Sequence, residues 1–185
     1  KISAEDFLKQ YIIKYFNPED IIVGYDHHFG FKRQGDSFFL NEHKFDYNYV
    51  LHIKDPIKID NTTVSSTQIR NYLNNNKIIS ANKYLGWEYE FIGIVMKGSG
   101  IGKKISFPTA NITPKYKNQL IPAQGVYCVD VVVDSYSYTG MCNIGTRPTF
   151  HINGDETIEV HLITDEALYL YGKEINIKFK QFIRK

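Results

Sequence analysis

Residues 98–111 read GSGIGKKISFPTAN, a glycine-rich and basic loop that runs into an extended segment. Pro108 excludes a helix at this point and favours an extended backbone at Phe107. Thr109 and Asn111 are two residues apart, so in an extended segment their side chains emerge on one face. A hydroxyl and an amide oxygen are hard ligands, suited to Mg²⁺ carried on a nucleotide phosphate. The stretch therefore predicts a phosphate and metal site built on a strand.

The glycines and lysines of this stretch supply the phosphate-binding part of the prediction. Gly98 and Gly102 allow close backbone approach to an anion, and Lys103 adds positive charge. The P-loop pattern does not fit, because its second glycine comes one residue early and Lys104 replaces the hydroxyl. The dinucleotide fingerprint does not fit either, because no helix can begin at residues 106–108. A glycine hairpin without a ligand is the alternative that these residues leave open.

Composition places the chain among ordinary soluble globular proteins. It has 185 residues, of which 43% are hydrophobic and 23% charged. A net charge of +2 is too small to indicate binding to nucleic acid or a membrane surface. No apolar run is long enough to span a bilayer, and no signal peptide opens the sequence. Cys128 and Cys142 lack metal-ligand spacing and are predicted to be buried free thiols in a reducing cytoplasm.

The N-terminal half has the alternating pattern of an α/β domain. A helix is predicted from Ser3, as N-cap, to Asn17, followed by a fully buried strand of the parallel-sheet type at 21–25. Further elements are a helix capped by Asp36, a strand at 49–53, a helix opening at 65–70, and a short helix that ends at Leu85 before Gly86. Two strands cannot form a parallel sheet covered on both faces, so this half is expected to be part of a domain.

The C-terminal half has a different pattern, of short segments with alternating polarity. These segments are residues 89–97, 125–134, 138–143, 157–164 and 174–182. Such a pattern is typical of an antiparallel barrel or sandwich. The change of pattern places the domain boundary near Trp87 and Glu88, so the predicted domains are 1–87 and 88–185.

Several blocks of the C-terminal half resemble the riboflavin kinase family. Gly98, Gly102, Lys103 and the run FPTAN at 107–111 are similar to its signature, a glycine-basic loop that leads into a PTAN motif. The blocks PAQGVY (122–127), NIGTRPTF (143–150), EVHL (159–162) and LYGK (170–173) follow in family order. Lys103 stands where arginine is usual, and Ser106 where glycine is usual. The resemblance implies a small closed antiparallel Greek-key β-barrel that uses ATP and Mg²⁺.

The N-terminal half resembles the FMN adenylyltransferase domain fused upstream of bacterial riboflavin kinases. This resemblance implies that 1–87 is the C-terminal part of a Rossmann-like nucleotidyltransferase domain. The residues it assigns to that site are Gly24, Asp26, Phe29, Ser65, Ser66, Thr67 and Arg70. Without the resemblance, 65–70 is equally well a simple helix cap. The family's opening strand and its C-terminal flavin-covering helix are missing, so we expect the chain to be a fragment of a bifunctional FAD synthetase.

The resemblance also implies roles within the kinase site. Gly98, Gly102 and Lys103 would cradle the nucleotide phosphates, and Thr109 with Asn111 would bind the metal. Glu159 would be the catalytic base, on a strand where it shares a face with His161, which is interpreted as a structural partner. Taken alone, Glu159 is more simply a solvated carboxylate. Weaker flavin contacts are implied at Gly125, Tyr127 and Arg147, although an aromatic strand residue such as Tyr127 usually belongs to the core.

The predicted function is Mg²⁺-dependent transfer of phosphate from ATP to riboflavin, which yields FMN and ADP. The intact polypeptide would also convert FMN to FAD. We expect a cytoplasmic monomer or weak oligomer that binds riboflavin, FMN and ATP but neither nucleic acid nor membranes. The alternatives are a non-catalytic flavin-binding barrel and an aromatic-lined barrel that binds single-stranded nucleic acid. The presence of Thr109, Asn111 and Glu159 argues against the first, and the weak net charge against the second.

Overall fold

The chain forms two compact units in the computed structural model, Lys1–Val64 and Ser65–Lys185. The structure describes residues 1–96, 109–146, 156–165 and 168–185. The unit boundary differs from the predicted domain boundary near residue 87, because the helical residues after Val64 pack with the second unit. The boundary near residue 87, predicted between the part that resembles FMN adenylyltransferase and the part that resembles riboflavin kinase, therefore stays a prediction.

The first unit opens with a helix whose start was correctly predicted. The Ser3 hydroxyl accepts a hydrogen bond from the Asp6 amide at 3.0 Å. The helix starts and ends as α-helix, in α1 (Ala4–Phe7) and α2 (Lys14–Phe16). Between them, Leu8–Ile13 are π-helical. Asn17, with φ of 39°, ends it in the left-handed conformation. Strands β1 (Asp20–Gly24) and β2 (Val50–Lys54) pair in parallel. The remaining elements are a 3₁₀ turn at Phe31–Arg33, α3 (Ser37–His43), and a hairpin of β3 (Lys58–Ile59) and β4 (Thr62–Thr63).

The small core of the first unit consists of Leu8, Val23, Leu40 and Tyr49. The prediction of a parallel strand is confirmed, but the prediction that it is fully buried is wrong. Ile22 of β1 is 64% exposed. The core lies against the face of β1 that carries Val23, and Ile22 points to the opposite face, which is open to solvent. In the described part of the chain β1 pairs only with β2.

The second unit begins with helices α4 (Ser66–Leu73) and α5 (Ile78–Leu85) and continues as a closed β-barrel. The barrel strands are β5 (Glu90–Met96), β6 (Ala110–Pro114), β7 (Gly125–Val133), β8 (Tyr136–Thr146), β9 (Glu156–Leu162) and β10 (Glu174–Arg184). Their order around the barrel is β10-β5-β6-β9-β8-β7, with antiparallel neighbours and β7 closing on β10. The order β10-β7-β8-β9 is that of a Greek key. The predicted closed Greek-key barrel is confirmed.

Side chains of the barrel alternate between the core and the outer face. On β7, Tyr127, Val129 and Val131 are fully buried, while the residues between them are partly exposed. The prediction of two buried cysteines is therefore confirmed for Cys142 and wrong for Cys128, which lies on the outer face of β7 and is half-buried. Both thiols are free, and burial raises the pKa of Cys142 to about 12.

Helices α4 and α5 belong to the barrel unit through their packing and hydrogen bonds. Leu73 and Ile78 are 1% exposed, and Ala81 is fully buried in the same core cluster as the barrel strands. Asn82 connects α5 to the barrel, since its Nδ2 donates to the Phe179 carbonyl at 2.8 Å and its Oδ1 accepts from the Tyr89 amide at 2.8 Å. Within the described ranges, none of the helices is long and apolar enough to cross a membrane.

Replacing Asn82 with alanine is expected to lower the free energy of unfolding by about 1–3 kcal/mol, because it leaves two backbone groups of the barrel without their partners. Chemical denaturation measures this loss. The matched control is Asn71→Ala on the exposed side of α4, which should change stability by no more than about 0.5 kcal/mol. Equal losses in the two variants would mean that the hydrogen bonds of Asn82 to the barrel do not stabilise the second unit.

Candidate active site

Three neighbouring barrel strands bring polar side chains into one row. In the register of β6 and β9, Asn111 lies opposite Glu159. In the register of β9 and β8, Glu159 lies opposite Asn143. Residues directly opposite on antiparallel strands have their Cβ atoms about 4.5–5.5 Å apart. We call Asn111, Glu159 and Asn143 the polar row.

The polar row lies on the outer face of the barrel. The residues that alternate with it, including Ile112 and Ile158, point into the core and are 6% and 4% exposed. Asn111 and Glu159 are half-buried, whereas Asn143 is exposed. The structure thus places the predicted metal ligand Asn111 directly beside the predicted base Glu159, although the two are 48 positions apart in the sequence.

The described residues on either side of the predicted phosphate-binding loop lie beside this row. Gly98, Gly102 and Lys103 lie outside the described residues, and so does Arg147, so their roles stay predictions. The last described residue before the loop, Met96, is the register partner of Asn111 on β5. Thr109 is exposed and directly precedes β6 on the other side of the loop. Met96 and Thr109, the described residues that flank the stretch 97–108, therefore both lie next to Asn111.

The described residues fit a Mg²⁺ ion that arrives with a nucleotide. The Thr109 hydroxyl and the Asn111 amide oxygen are hard oxygen ligands of the kind Mg²⁺ prefers. Mg²⁺ in phosphoryl-transfer sites commonly takes one or two protein ligands and completes its shell with phosphate and water. Among the described residues, no group of three or more His, Cys, Asp or Glu side chains could hold a metal ion.

His161 lies on the same strand face as Glu159, one alternation further along β9. It is half-buried, and its register partner on β8 is Met141. Its predicted role as a structural partner of Glu159 or of the sheet stays a prediction.

Tyr127, one of the weaker predicted flavin contacts, lies inside the barrel. Its side chain is 0% exposed, and its ring meets Phe179 edge-on at 5.2 Å between ring centroids. The hydroxyl donates to the Ala123 carbonyl and lies 3.0 Å from Oδ1 of Asn76, while burial raises its pKa. The ring is therefore a core element and has no exposed face to offer a flavin.

Gly125, another predicted flavin contact, lies where the fold leaves no room for a side chain. A Cβ atom placed there would come within 2.5 Å of the Phe182 ring and 2.9 Å of the Arg184 carbonyl oxygen. Gly125 also lines an open cleft of about 600 Å³ within the second unit. We call this the amide cleft, because its polar lining consists of Asn74, Asn75, Asn76, Gln124, Asn143 and Lys185.

Sequence reasoning missed Asn143 and the amide cleft. Asn143 opens the block NIGTRPTF and was noted there only as part of a motif. Its alternation with the buried residues Cys142 and Ile144 indicates an outward side chain. Its position across from Glu159 depends on strand register, which the local pattern does not specify.

The residues assigned to adenylyl transfer fall into both units. In the first unit, Gly24 ends β1, Asp26 lies in the turn that follows, and Phe29 pairs with Gly35 through a β-bridge. The Phe29 ring contributes, with apolar side chains that include Phe7, to a cavity of about 70 Å³.

The other four residues of this group open α4, in the second unit. The Ser65 hydroxyl accepts from the Gln68 amide at 3.3 Å, which confirms the predicted cap. Nη1 of Arg70 donates to the Ser66 hydroxyl at 3.3 Å, and Thr67 is exposed. The roles of both groups of residues in adenylyl transfer stay predictions.

Comparison with known families identifies the second unit. Residues 85–185 match the family model described as riboflavin kinase, more than half of the chain. The chain belongs to the riboflavin kinase family. Residues 1–68 match a second family model, described as FAD synthetase. Riboflavin kinases and FAD synthetases use ATP and Mg²⁺, which agrees with the hard oxygen ligands of Thr109 and Asn111.

Curated relatives of this riboflavin kinase family member are bifunctional enzymes. The chain is 33% identical over 184 residues to the bifunctional riboflavin kinase/FMN adenylyltransferase of Pseudomonas fluorescens, covering 100% of this chain and 58% of that protein. It is 38% identical over 187 residues to the protein of the same name from Buchnera aphidicola, covering 99% and 59%. The chain thus spans somewhat over half the length of these relatives.

A solved structure has the same fold. The crystal structure described as a macrolide-efflux protein from Streptococcus pneumoniae aligns with a TM-score of 0.88 and 29% sequence identity. The alignment covers 100% of this chain and 58% of that one.

Proposed function

We propose that this chain transfers the γ-phosphoryl group of ATP to the 5′-hydroxyl of riboflavin, with FMN and ADP as products. The observation that carries the proposal is the register of β6, β9 and β8, which sets Asn111 directly opposite Glu159. A metal-type ligand and a carboxylate side by side are what phosphoryl transfer to an alcohol requires. Membership of the riboflavin kinase family supports riboflavin as the alcohol.

Glu159 would act on the proton of the attacking hydroxyl. The riboflavin oxygen forms a bond to the γ-phosphorus while the bond from that phosphorus to the ADP oxygen breaks. The hydroxyl proton passes to the Glu159 carboxylate, and ADP leaves with the electron pair of the broken bond. The position of Glu159 on β9, between two paired strands, holds the carboxylate at one place on the barrel surface.

Thr109 and Asn111 would hold Mg²⁺ against the nucleotide phosphates. When bound, Mg²⁺ neutralises the charge that develops on the transferring group. Asn111 is well suited to a fixed role, because its strand is paired on both sides, with β5 and with β9. Gly98, Gly102 and Lys103 would complete the phosphate site.

The first unit supports a second activity. We propose that it contributes to the adenylylation of FMN to FAD, as the match of residues 1–68 to FAD synthetase and the names of the relatives suggest. Riboflavin, FMN and ATP would then be the small-molecule partners. A cytoplasmic location and a monomeric or weakly oligomeric state remain predictions.

Replacing Asn111 with alanine is expected to weaken binding of MgADP about 10- to 100-fold, since a charge-assisted contact contributes roughly 1.5–3 kcal/mol. Binding of metal-free ADP should change little, because the lost ligand belongs to the metal. Titration calorimetry with and without Mg²⁺ measures both values.

The control for this titration is Thr113→Ala, on the same strand and face but two residues further on, where the side chain is exposed. It should leave both affinities unchanged. If Asn111→Ala weakens MgADP and metal-free ADP equally, Asn111 supports the loop and does not bind the metal.

A further inference from the structure

Three side chains that can bind a metal ion lie side by side on the barrel, outside the polar row. In the register of β7 and β8, Cys128 lies opposite Met141. In the register of β8 and β9, Met141 lies opposite His161. Three neighbouring strands thus bring together a thiol, a thioether and an imidazole. We call Cys128, Met141 and His161 the sulfur row.

The sulfur row points away from the barrel core. Cys128 alternates on β7 with Tyr127 and Val129, which are fully buried. Met141 is 38% exposed, and Cys128 and His161 are half-buried. Residues that are register partners on neighbouring strands lie on the same face of a sheet. The three side chains therefore open on the same side of the barrel wall.

The spacing of the sulfur row suits one metal ion held over Met141. Neighbouring strands are about 4.8 Å apart, so Cys128 and His161 lie roughly 5 Å to either side of the central residue. Metal–sulfur and metal–nitrogen bonds of about 2.3 and 2.0 Å, added to the lengths of these side chains, span that distance. Because imidazole is longer than the cysteine side chain, the ion would lie nearer to Cys128. Methionine has three rotatable bonds and can adapt to this position.

The ligand atoms of the sulfur row select a soft metal ion. Thiolate and thioether sulfur favour Cu(I), and imidazole also binds copper. Mg²⁺ prefers oxygen, so the row does not compete for the ion assigned to Thr109 and Asn111. Structural zinc sites take four ligands from Cys, His, Asp and Glu. Within the described ranges, no group of even three such side chains could hold a metal ion.

We propose that the sulfur row binds one Cu(I) ion through the thiolate of Cys128, the thioether of Met141 and a ring nitrogen of His161. On binding, the bond between sulfur and hydrogen in Cys128 breaks. The sulfur keeps the electron pair and donates it to the metal, and the proton passes to solvent. Copper stays Cu(I) throughout, so the step needs neither an oxidant nor a reductant. The inference is independent of the proposed kinase function.

The test is a titration of this chain with Cu(I), in competition with the coloured chelator bicinchoninate. Oxygen is excluded, because oxidation of cysteine or methionine would remove a ligand. We expect one Cu(I) per chain. Cys128→Ser, Met141→Leu and His161→Gln should each weaken binding by at least about 10- to 100-fold, the loss typical even of residues that only support a metal ligand. A near-ultraviolet absorption from thiolate to Cu(I) should appear in the parent chain and be missing in Cys128→Ser.

The chain offers a matched control for each sulfur ligand, because it contains two cysteines and two methionines. Met96→Leu removes the exposed methionine of β5, and Cys142→Ala removes the buried thiol of β8. Neither replacement should change the affinity for Cu(I).

The variants of Cys128 and Met141 replace outer-face side chains by others of similar size, so they test the site even if His161→Gln is unstable. Absence of Cu(I) binding by the parent chain would overturn the inference. Unchanged affinity in both Cys128→Ser and Met141→Leu, or an equal loss in the two controls, would do the same. Tighter binding of Zn²⁺ than of Cu(I) would show that the row is not a soft-metal site.

Discussion

Replacing Glu159 with glutamine is expected to lower the rate of FMN formation by about 10²–10⁴-fold, the usual contribution of a general base. Glutamine keeps the shape of the side chain but cannot accept the hydroxyl proton at neutral pH. Affinity for riboflavin and MgATP should stay nearly unchanged, and so should the melting temperature. Product formation from saturating riboflavin and MgATP, followed by chromatography of the flavins, measures the effect.

Glu90→Gln provides the control for this experiment. Glu90 is an exposed carboxylate on the outer face of β5, with Nζ of Lys178 3.9 Å from its Oε2. Its replacement should leave the rate of FMN formation at the parental level. Near-parental turnover in Glu159→Gln would mean that Glu159 is a structural carboxylate. Unfolding of that variant would likewise remove the support for a catalytic role.

Replacing Phe179 with alanine is expected to lower the free energy of unfolding of the second unit by about 3–5 kcal/mol. The side chain is 0% exposed, and its ring contacts the rings of Phe91 and Tyr127, with centroids 5.9 and 5.2 Å away. Removing it leaves a cavity at the centre of the barrel core. The barrel cannot readily collapse into this cavity, because β10 is paired on both sides.

The loss can be followed in the second unit alone. Trp87 is the single tryptophan of the chain and lies in that unit, so its fluorescence during denaturation reports on the barrel and its helices. Tyr136→Ala is the matched control, since Tyr136 is 68% exposed and its removal should cost no more than about 0.5 kcal/mol. Comparable losses in the two variants would show that Phe179 is not central to the core.

The barrel could be predicted from sequence wherever a strand buries alternate residues. The period-two pattern of residues 125–134 predicts β7 to within one residue, because its inner face is apolar throughout. The hairpin of β3 and β4 was missed, because strands of two residues have no periodicity to read. Helices α4 and α5 were correctly predicted. Their apolar stripes, however, do not specify whether they pack on the core of the first unit or on that of the barrel. Their packing on the barrel, through Leu73 and Ile78, appears only in the structure.

The site could be predicted from sequence only in part. Family motifs point to Asn111 and Glu159 separately, and the structure sets them side by side through the pairing of β6 with β9. Asn143 was missed because its closeness to Glu159 depends on a second strand pairing. For Tyr127 the family motif suggested a flavin contact, but the alternation of β7 directs its ring into the barrel core.

Phosphoryl transfer to riboflavin at the polar row can be followed with ATP labelled in the γ-phosphate. This chain is incubated with riboflavin and the labelled ATP, with and without Mg²⁺. We expect the label to move to riboflavin as FMN only when Mg²⁺ is present, and we expect Glu159→Gln, but not Glu90→Gln, to lose most of this transfer. A chain that binds both riboflavin and MgADP but forms no labelled FMN would contradict a kinase site at the polar row, and so would transfer by Glu159→Gln at the parental rate.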